Sequence, residues 1–165
     1  MKRIWAPWRI NYIKKTKIDH GCFICKLIKD KSENDRKNFL LFRGKNAIVM
    51  LNIYPYNSGH LMIAPILHTS ELSNISKETS IELWELTTKS LEILKKAFSP
   101  SGFNIGINLG KIAGAGLQSH VHIHIVPRWG GDTNFMPVLS ETKIISQAIE
   151  ETYEDLIKHV ELYKT

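Results

Sequence analysis

One stretch of nine residues, Ser119–Pro127, limits the fold of this chain more than any other part of its sequence. Its central residues alternate between histidine and a β-branched apolar residue: His120, Val121, His122, Ile123, His124 and Ile125. A period of two is typical of a β-strand, because successive side chains of a strand point to opposite faces. The sequence therefore predicts a strand with three imidazoles on one face and three apolar side chains on the other.

Three ionisable rings on one face of a strand need partners, because burying an imidazole without one is unfavourable. Two kinds of site would supply them. In a metal site, histidines two residues apart on a strand share one ion. In a phosphate site, one neutral imidazole attacks phosphorus while its neighbours donate hydrogen bonds to the oxygens. The glycine-rich segment 110–116 favours phosphate, because glycines let backbone N–H groups approach an anion.

The composition is that of one ordinary globular domain, 1–165, with 43% apolar and 23% charged residues. A net charge of +6 attracts anions. Because the basic residues form no long block, we expect small phosphorylated ligands and no specific nucleic-acid binding. The longest apolar stretch, Leu61–Leu67, is too short to span a membrane, and no secretory signal is evident. A cytoplasmic location without membrane association is the resulting expectation.

Turn residues and apolar periodicity divide the chain into elements, after an aromatic and basic N-terminal arm over residues 1–20. Strands are predicted over 39–43, 47–51, 60–66, 103–109 and 119–127. Helices are predicted over 22–29, 76–98 and 141–159. Most strands follow one another through short turns and the helices are segregated, which predicts the α+β class with a mainly antiparallel sheet.

The two longer helices carry apolar residues at helical spacing. For the helix capped by Ser76, the expected buried face comprises Ile81, Trp84, Leu91, Leu94 and Phe98. For the last helix, the residues expected to point inward are Ile145, Ala148, Ile149, Leu156 and Val160. Trp84 is accordingly interpreted as a core residue.

The stretch His120–Val126 matches at all seven positions the signature His-φ-His-φ-His-φ-φ, with φ apolar, of the histidine triad (HIT) superfamily. Asn52–Pro65 resembles that family's nucleotide-binding strand and turn, and Cys22–Cys25 resembles its N-terminal Cys-x-x-Cys. Trp5–Arg9 and Pro127–Met136 resemble a bacterial branch of diadenosine tetraphosphate hydrolases and phosphorylases. The resemblance covers nearly the whole chain. It implies a HIT-like fold, a five-stranded antiparallel sheet with two main helices, usually as a homodimer.

The resemblance also implies roles for single residues. His122 matches the family nucleophile, which forms a nucleotidyl-histidine intermediate, and His124 matches the histidine at the α-phosphate. The nucleotide-binding residues expected besides His124 are Asn52 at the ribose, Asn108 near a phosphate, the supporting His60, and Gly116, Gln118 and Ser119 around the phosphates. Gly116 and Leu117 depart from the family, since many members carry Gln and Ser or Thr there.

The Cys-x-x-Cys unit by itself fits either redox or metal chemistry. Zinc takes about four nitrogen or sulfur ligands. Resemblance to some HIT proteins implies a structural zinc held by Cys22, Cys25, His68 and His120. Without a metal, the two cysteines would be reduced and merely packed. No organic cofactor is expected.

These features predict an enzyme, a HIT-family hydrolase or phosphorylase of the nucleotide α-phosphate that acts on dinucleoside polyphosphates such as diadenosine tetraphosphate. Three alternatives stay open. The first is a hydrolase of purine nucleoside phosphoramidates or adenylyl amino acids in the same superfamily. The second is a nucleotide-binding module without catalysis, and the third is a metalloenzyme that uses the triad as ligands.

Overall fold

A computed structural model describes residues 21–133 and 145–164, within which five strands and three helices form one α+β unit. The strands are β1 Leu40–Arg43, β2 Ala47–Leu51, β3 Leu61–Pro65, β4 Gly102–Ile107 and β5 Ile123–Arg128. The helices are α1 Phe23–Lys29, α2 Lys77–Phe98 and α3 Ile149–Ile157. Short 3-10 turns cover Ser32–Asn34, Leu72–Asn74 and Val160–Tyr163. The predicted fold class is confirmed, while the proposed N-terminal arm lies outside the described residues.

The five strands form one antiparallel sheet in the order β1-β2-β3-β5-β4. The central strand β3 pairs with β2 on one side and with β5 on the other. In the second pairing Met62 lies opposite His124, and Ile63 lies opposite Ile123. This register places His124 near the start of β3 and the histidines that precede it toward the end of β3.

The two faces of the sheet bury different side chains. Ile63, Ile123 and Ile125 pack in the main core together with residues of α2 and α3. Met62 packs on the other face, in a smaller core centred on Ile24 of α1. His124 pairs with Met62 and therefore lies on this second face. The predicted separation of imidazoles and apolar side chains holds along β5.

The histidine strand is shorter than predicted, because β5 begins at Ile123 and not at Ser119. In the preceding segment, the backbone N–H of Val121 donates to the carbonyl of Thr69 at 2.7 Å. The backbone of this segment thus bonds to the chain that follows β3, and it does not continue the ladder between β3 and β5. The side chains keep their alternation, since the rings of His122 and His124 lie 4.7 Å apart.

Helix α2 confirms the predicted bounds, and the hydroxyl of Ser76 accepts the N–H of Thr79 at 3.2 Å as its cap. Its predicted buried face is wrong in part, because Ile81 is 49% exposed and Trp84 is 62% exposed. Leu94 is buried as predicted, and the other buried residues are Leu83, Leu86, Thr87, Ser90 and Ile93.

Two polar residues explain this difference along α2. The hydroxyl of Thr87 donates to the carbonyl of Leu83 at 2.7 Å, and the hydroxyl of Ser90 lies 2.8 Å from that of Tyr163. Hydrogen-bonded hydroxyls are tolerated in a core. The buried face of α2 therefore includes polar residues. A prediction based on apolar residues alone places the buried face at a different angle around the helix axis.

The last helix also begins later than predicted, since α3 starts at Ile149, and residues 141–144 of the predicted range lie outside the described part of the chain. Residues 145–148 are not helical, and Ala148 is an exposed cap with extended backbone. The side chain of Gln147 bonds to both Thr152 and Asp155, which holds this residue outside the first turn. Leu156 is fully buried, as predicted. In the part of the chain that the structure describes, no helix is long and apolar enough to cross a membrane.

Candidate active site and metal cluster

Three histidines meet on the second face of the sheet. His124 belongs to β5, His122 directly precedes that strand, and His60 directly precedes β3. His60 is fully buried, whereas His122 and His124 keep 6% and 9% of their surface. Because β3 and β5 are hydrogen-bonded neighbours, the sheet itself holds the three rings together.

The ring of His122 is oriented by the backbone of its own segment. Its Nδ1 lies 2.8 Å from the carbonyl oxygen of His120. A carbonyl can only accept, so Nδ1 carries the hydrogen and donates it. Burial lowers the pKa of His122, against the opposing effect of this hydrogen bond. The ring is therefore neutral near pH 7, with a lone pair on Nε2.

The ring of His60 has the opposite proton arrangement. The backbone N–H of Tyr56 donates to its Nδ1 at 3.0 Å, so this nitrogen carries the lone pair. Its Nε2 lies 2.9 Å from Nδ1 of His124. Burial, together with the neighbouring His124 and His122, lowers the pKa of His60 to about 3. A neutral His60 thus donates from Nε2 to His124.

The proton of His124 follows from this contact. Because Nδ1 of His124 accepts from His60, a neutral His124 carries its hydrogen on Nε2. Burial, with a smaller contribution from His122, lowers the pKa of His124 to about 4. The site therefore combines a nucleophilic nitrogen on His122 with an N–H donor on His124, in rings 4.7 Å apart.

The turn between β2 and β3, residues 52–60, forms one wall of this site. Asn52, for which the family resemblance implies a ribose contact, lies against His60 with Nδ2 3.3 Å from Nδ1 of that ring. Tyr56, which the sequence does not indicate as a site residue, places its ring 4.7 Å from that of His60 and is 51% exposed. Its position in a turn is the only signal that would have drawn attention to it.

A second residue set missed in the sequence ties this turn to the end of β5. The amide of Asn57 donates to the carbonyl of Pro127 and to the carboxylate of Asp132, both at 2.9 Å. Arg128 donates to the same carboxylate at 2.6 Å. Asp132 thereby connects the chain following β5 to the 52–60 turn. Nothing in the spacing of these residues indicates the connection beforehand.

The predicted phosphate residues Asn108, Gln118 and Ser119 come together at one cavity of about 400 Å³. Its other lining residues are Ser70, Glu71, Leu109, Gly110, Leu117 and Val121. Val121, the chain neighbour of His122, is the point at which this cavity adjoins the histidine segment, and the rings of His122 and His124 do not line it. Gly116 is exposed and does not line it.

Four further residues gather beside the triad, namely Cys22, Cys25, His68 and His120, and we call them the Cys/His cluster. Their ligand atoms all lie within 4.8 Å of one another. Sγ of Cys22 is 3.2 Å from Nδ1 of His120, and Sγ of Cys25 is 3.1 Å from Nδ1 of His68. The four residues of the predicted zinc site are thus brought together in a group that could hold a metal ion.

The hydrogen bonds of the His120 ring leave one of its nitrogens available as a metal ligand. Its Nε2 donates to the carbonyl of Pro65 at 2.8 Å, which leaves the lone pair of Nδ1 facing the cysteines. Burial raises the pKa of the Cys22 thiol and so disfavours the thiolate. A cation bound beside the sulfur would offset this effect and favour the thiolate. The triad is thereby divided, because His120 faces the cysteines whereas His122 and His124 face each other.

The family model described as the HIT domain matches residues 33–131, which contain every residue of this site except the two cysteines and Asp132. The AP-4-A phosphorylase of Mycobacterium tuberculosis is 37% identical over 92% of the chain and 80% of its own length. The asymmetrical bis(5'-nucleosyl)-tetraphosphatase of Schizosaccharomyces pombe is 28% identical over 71% of the chain and 60% of its own length.

The fold is similar to that of a zinc-bound histidine triad family protein from Mycobacterium smegmatis, with a TM-score of 0.67. The two are 25% identical, and the similarity covers 86% of this chain and 94% of the other. The resemblance inferred from the histidine segment is therefore confirmed by sequence and by structure.

Proposed function

This chain belongs to the HIT domain family, and from that membership we propose that it cleaves dinucleoside polyphosphates at an α-phosphorus, with His122 as the nucleophile. Relatives named as a phosphorylase and as a tetraphosphatase support an enzyme of this class. One observation carries the residue assignment. The hydrogen-bond partners leave a lone pair on Nε2 of His122 and a hydrogen on Nε2 of His124.

The first step we propose is attack of Nε2 of His122 on the α-phosphorus. A P–N bond forms and the bond to the bridging oxygen breaks, so the rest of the polyphosphate departs as an oxyanion. The imidazole gains positive charge, which the carbonyl of His120 stabilises through Nδ1–H. His124 donates from Nε2 to a phosphoryl oxygen, which stabilises the charge that develops there.

The second step returns the histidine to its starting state. Water attacks the nucleotidyl-His122 intermediate, the P–N bond breaks, and a nucleoside monophosphate leaves. With inorganic phosphate as the acceptor, the product is a nucleoside diphosphate. The phosphorylase relative covers 92% of this chain at 37% identity, which favours phosphate.

Product analysis with diadenosine tetraphosphate tests this proposal directly. The purified enzyme is incubated with the substrate in the presence and absence of inorganic phosphate, and the nucleotides are separated by chromatography. ATP with ADP identifies phosphorolysis, and ATP with AMP identifies asymmetric hydrolysis. Release of no nucleotide under either condition would contradict the proposed reaction.

For the Cys/His cluster we propose a structural zinc. Zinc–ligand bonds of about 2.0–2.3 Å give a tetrahedron whose edges are about 3.3–3.8 Å. Of the sulfur-to-nitrogen distances in the cluster, 3.6 Å lies within that range and 3.1 and 3.2 Å lie just below it, so small shifts of the side chains would complete the tetrahedron. Zinc would cross-link α1, the turn after β3 and the segment before β5.

We also propose that Asn108, Gln118 and Ser119 contact the nucleotide. All three residues line one cavity, which supports this assignment.

A homodimer is the assembly we propose. Strand β4 lies at one edge of the sheet, and its Ile105 and Ile107 are 41% and 37% exposed. An edge strand with exposed apolar side chains is a surface onto which a second copy can add. Light scattering of the purified protein measures the assembly, and a monomer at micromolar concentration would contradict it.

The cytoplasm is the location we propose.

A further inference from the structure

Asn52 has both ends of its amide engaged within its own turn. Its Oδ1 accepts the backbone N–H of Tyr54 at 2.9 Å, which settles the orientation of the amide because that N–H needs an acceptor. The NH₂ group consequently faces Nδ1 of His60 at 3.3 Å. The residue expected to bind a ribose is thus a hydrogen-bond donor to a buried imidazole.

The same nitrogen of His60 receives a second donor, the backbone N–H of Tyr56 at 3.0 Å. Two donors converge on one lone pair, and both come from the 52–60 turn. The other nitrogen of His60 points to His124 at 2.9 Å. The position of the hydrogen on His124 therefore depends on the hydrogen-bond donors at Nδ1 of His60.

We infer that Asn52 is a positioning residue, which together with the backbone N–H of Tyr56 keeps Nδ1 of His60 free of a proton and thereby directs the hydrogen of His124 toward the substrate. The effect on turnover rests on the proposed function. The proton positions themselves are a property of the free protein and can be measured without a substrate.

The replacement Asn52→Asp tests this because it exchanges the NH₂ donor for a charged oxygen that can only accept, while the size of the side chain stays the same. Aspartate has the same shape, and one carboxylate oxygen can still accept the N–H of Tyr54. The other oxygen would face the lone pair of His60 with a lone pair of its own, which draws a proton onto Nδ1 of His60. The other groups that face His60 are His124 and His122 from the β5 side and Tyr56 from its own turn, and all three are retained.

A neutral His60 with its hydrogen on Nδ1 would accept from His124 and no longer donate to it. The hydrogen of His124 would then move to Nδ1, and its Nε2 would present a lone pair where the substrate oxygen needs a donor. If the new carboxylate of the Asn52→Asp variant instead stabilises the cationic form of His60, the pKa of His60 rises. Either change is visible at the two rings.

The measurement uses the full chain with ¹⁵N-labelled histidine and long-range proton–nitrogen correlation spectra. In the wild type at pH 7 we expect the hydrogen on Nε2 in both His60 and His124. In Asn52→Asp we expect a proton on Nδ1 of His60 and an increase of at least one pH unit in its midpoint. Asn52→Ala is the comparison variant, since it removes one of the two donors without adding a charge, and we expect a smaller shift of the His60 hydrogen toward Nδ1 than in Asn52→Asp.

Kinetics separate this role from ribose binding. A carboxylate accepts ribose hydroxyls at least as well as an amide, so a purely ribose-binding Asn52 predicts near-normal turnover for Asn52→Asp and an increased KM for Asn52→Ala. The positioning role predicts that kcat of Asn52→Asp falls tenfold or more, with an altered acid limb of the pH profile.

The inference is overturned if His60 or His124 of the wild type carries its hydrogen on Nδ1, a result that needs no variant to fold. It is equally overturned if Asn52→Asp leaves both rings unchanged, or if the alanine and aspartate variants change them alike. An active His122→Ala enzyme would overturn the proposed function and leave the spectra of His60 to decide this inference alone.

Discussion

The carbonyl oxygen of His120 accepts the hydrogen on Nδ1 of His122 at 2.8 Å, so one residue serves two sites. Its ring faces the cysteines of the Cys/His cluster, and its backbone orients the proposed nucleophile. A single residue of chain, Val121, therefore separates a member of the Cys/His cluster from the proposed nucleophile. This arrangement makes the consequences of changing each histidine distinct.

Replacing His122 with alanine should lower kcat by at least about 1,000-fold, because no other group supplies the attacking nitrogen. Nucleotide binding should remain, since the ring is 6% exposed and contributes little contact surface. Steady-state rates and calorimetric titration with a non-hydrolysable nucleotide measure the two effects. His159→Ala is the control, because His159 lies after α3, far along the chain from the site. A His122→Ala rate within about threefold of the wild type would refute the assignment.

The metal proposal predicts about one zinc per chain, lost when the cluster is broken. His68→Gln should release the metal and lower the unfolding temperature, whereas His159→Gln should do neither. His122→Ala and His124→Ala should keep their zinc, because their rings lie outside the cluster. Elemental analysis of dialysed protein gives the content. Loss of zinc from the His122 and His124 variants would favour a metalloenzyme that uses the triad as ligands.

The buried His60 should make the protein less stable in acid. Its pKa is lowered to about 3 in the folded protein, while the unfolded chain has the ordinary value of 6.5. The unfolded state therefore binds more protons between these values, and stability falls as the pH drops below about 6.5. The slope is about 1.4 kcal/mol per pH unit for this residue.

Urea unfolding of the wild type and of His60→Gln between pH 4.5 and 7 isolates this contribution. The glutamine variant should have the shallower dependence of its unfolding free energy on pH, because it lacks the titrating ring. The remaining slope belongs to other groups, including His124, whose pKa is also lowered. Parallel curves for the two proteins would show that His60 does not titrate as its burial requires.

The exposed position of Trp84 predicts a small effect of replacing it. Trp84→Lys should change the unfolding free energy of a monomeric chain by less than about 0.5 kcal/mol. Leu94→Ala, in the fully buried stripe of the same helix, should cost about 2–5 kcal/mol. Chemical denaturation at low protein concentration compares the two. A decrease of several kcal/mol in the unfolding free energy of Trp84→Lys would contradict the exposed position of Trp84 and support the core position predicted from the sequence.

Local patterns predicted much of the fold. The bounds of α2 follow from Ser76 and from the break after Phe98, both of which are properties of adjacent residues. Its buried side could not be predicted in the same way, because Thr87 and Ser90 become compatible with a core only through hydrogen-bond partners. One of those partners, Tyr163, is 73 residues from Ser90 along the chain.

By itself, the sequence determined the family and the alternation of imidazole and apolar side chains, because a motif and a period of two are written in the order of residues. Through the resemblance to that family it also indicated the residues of the Cys/His cluster. Only the tertiary structure decided which nitrogen of each imidazole carries the hydrogen. For His120 and His124 that choice depends on groups that folding brings to within 3 Å from distant parts of the chain, namely the carbonyl of Pro65 and Nε2 of His60. The chemistry of the site therefore rests on contacts whose geometry no local pattern encodes.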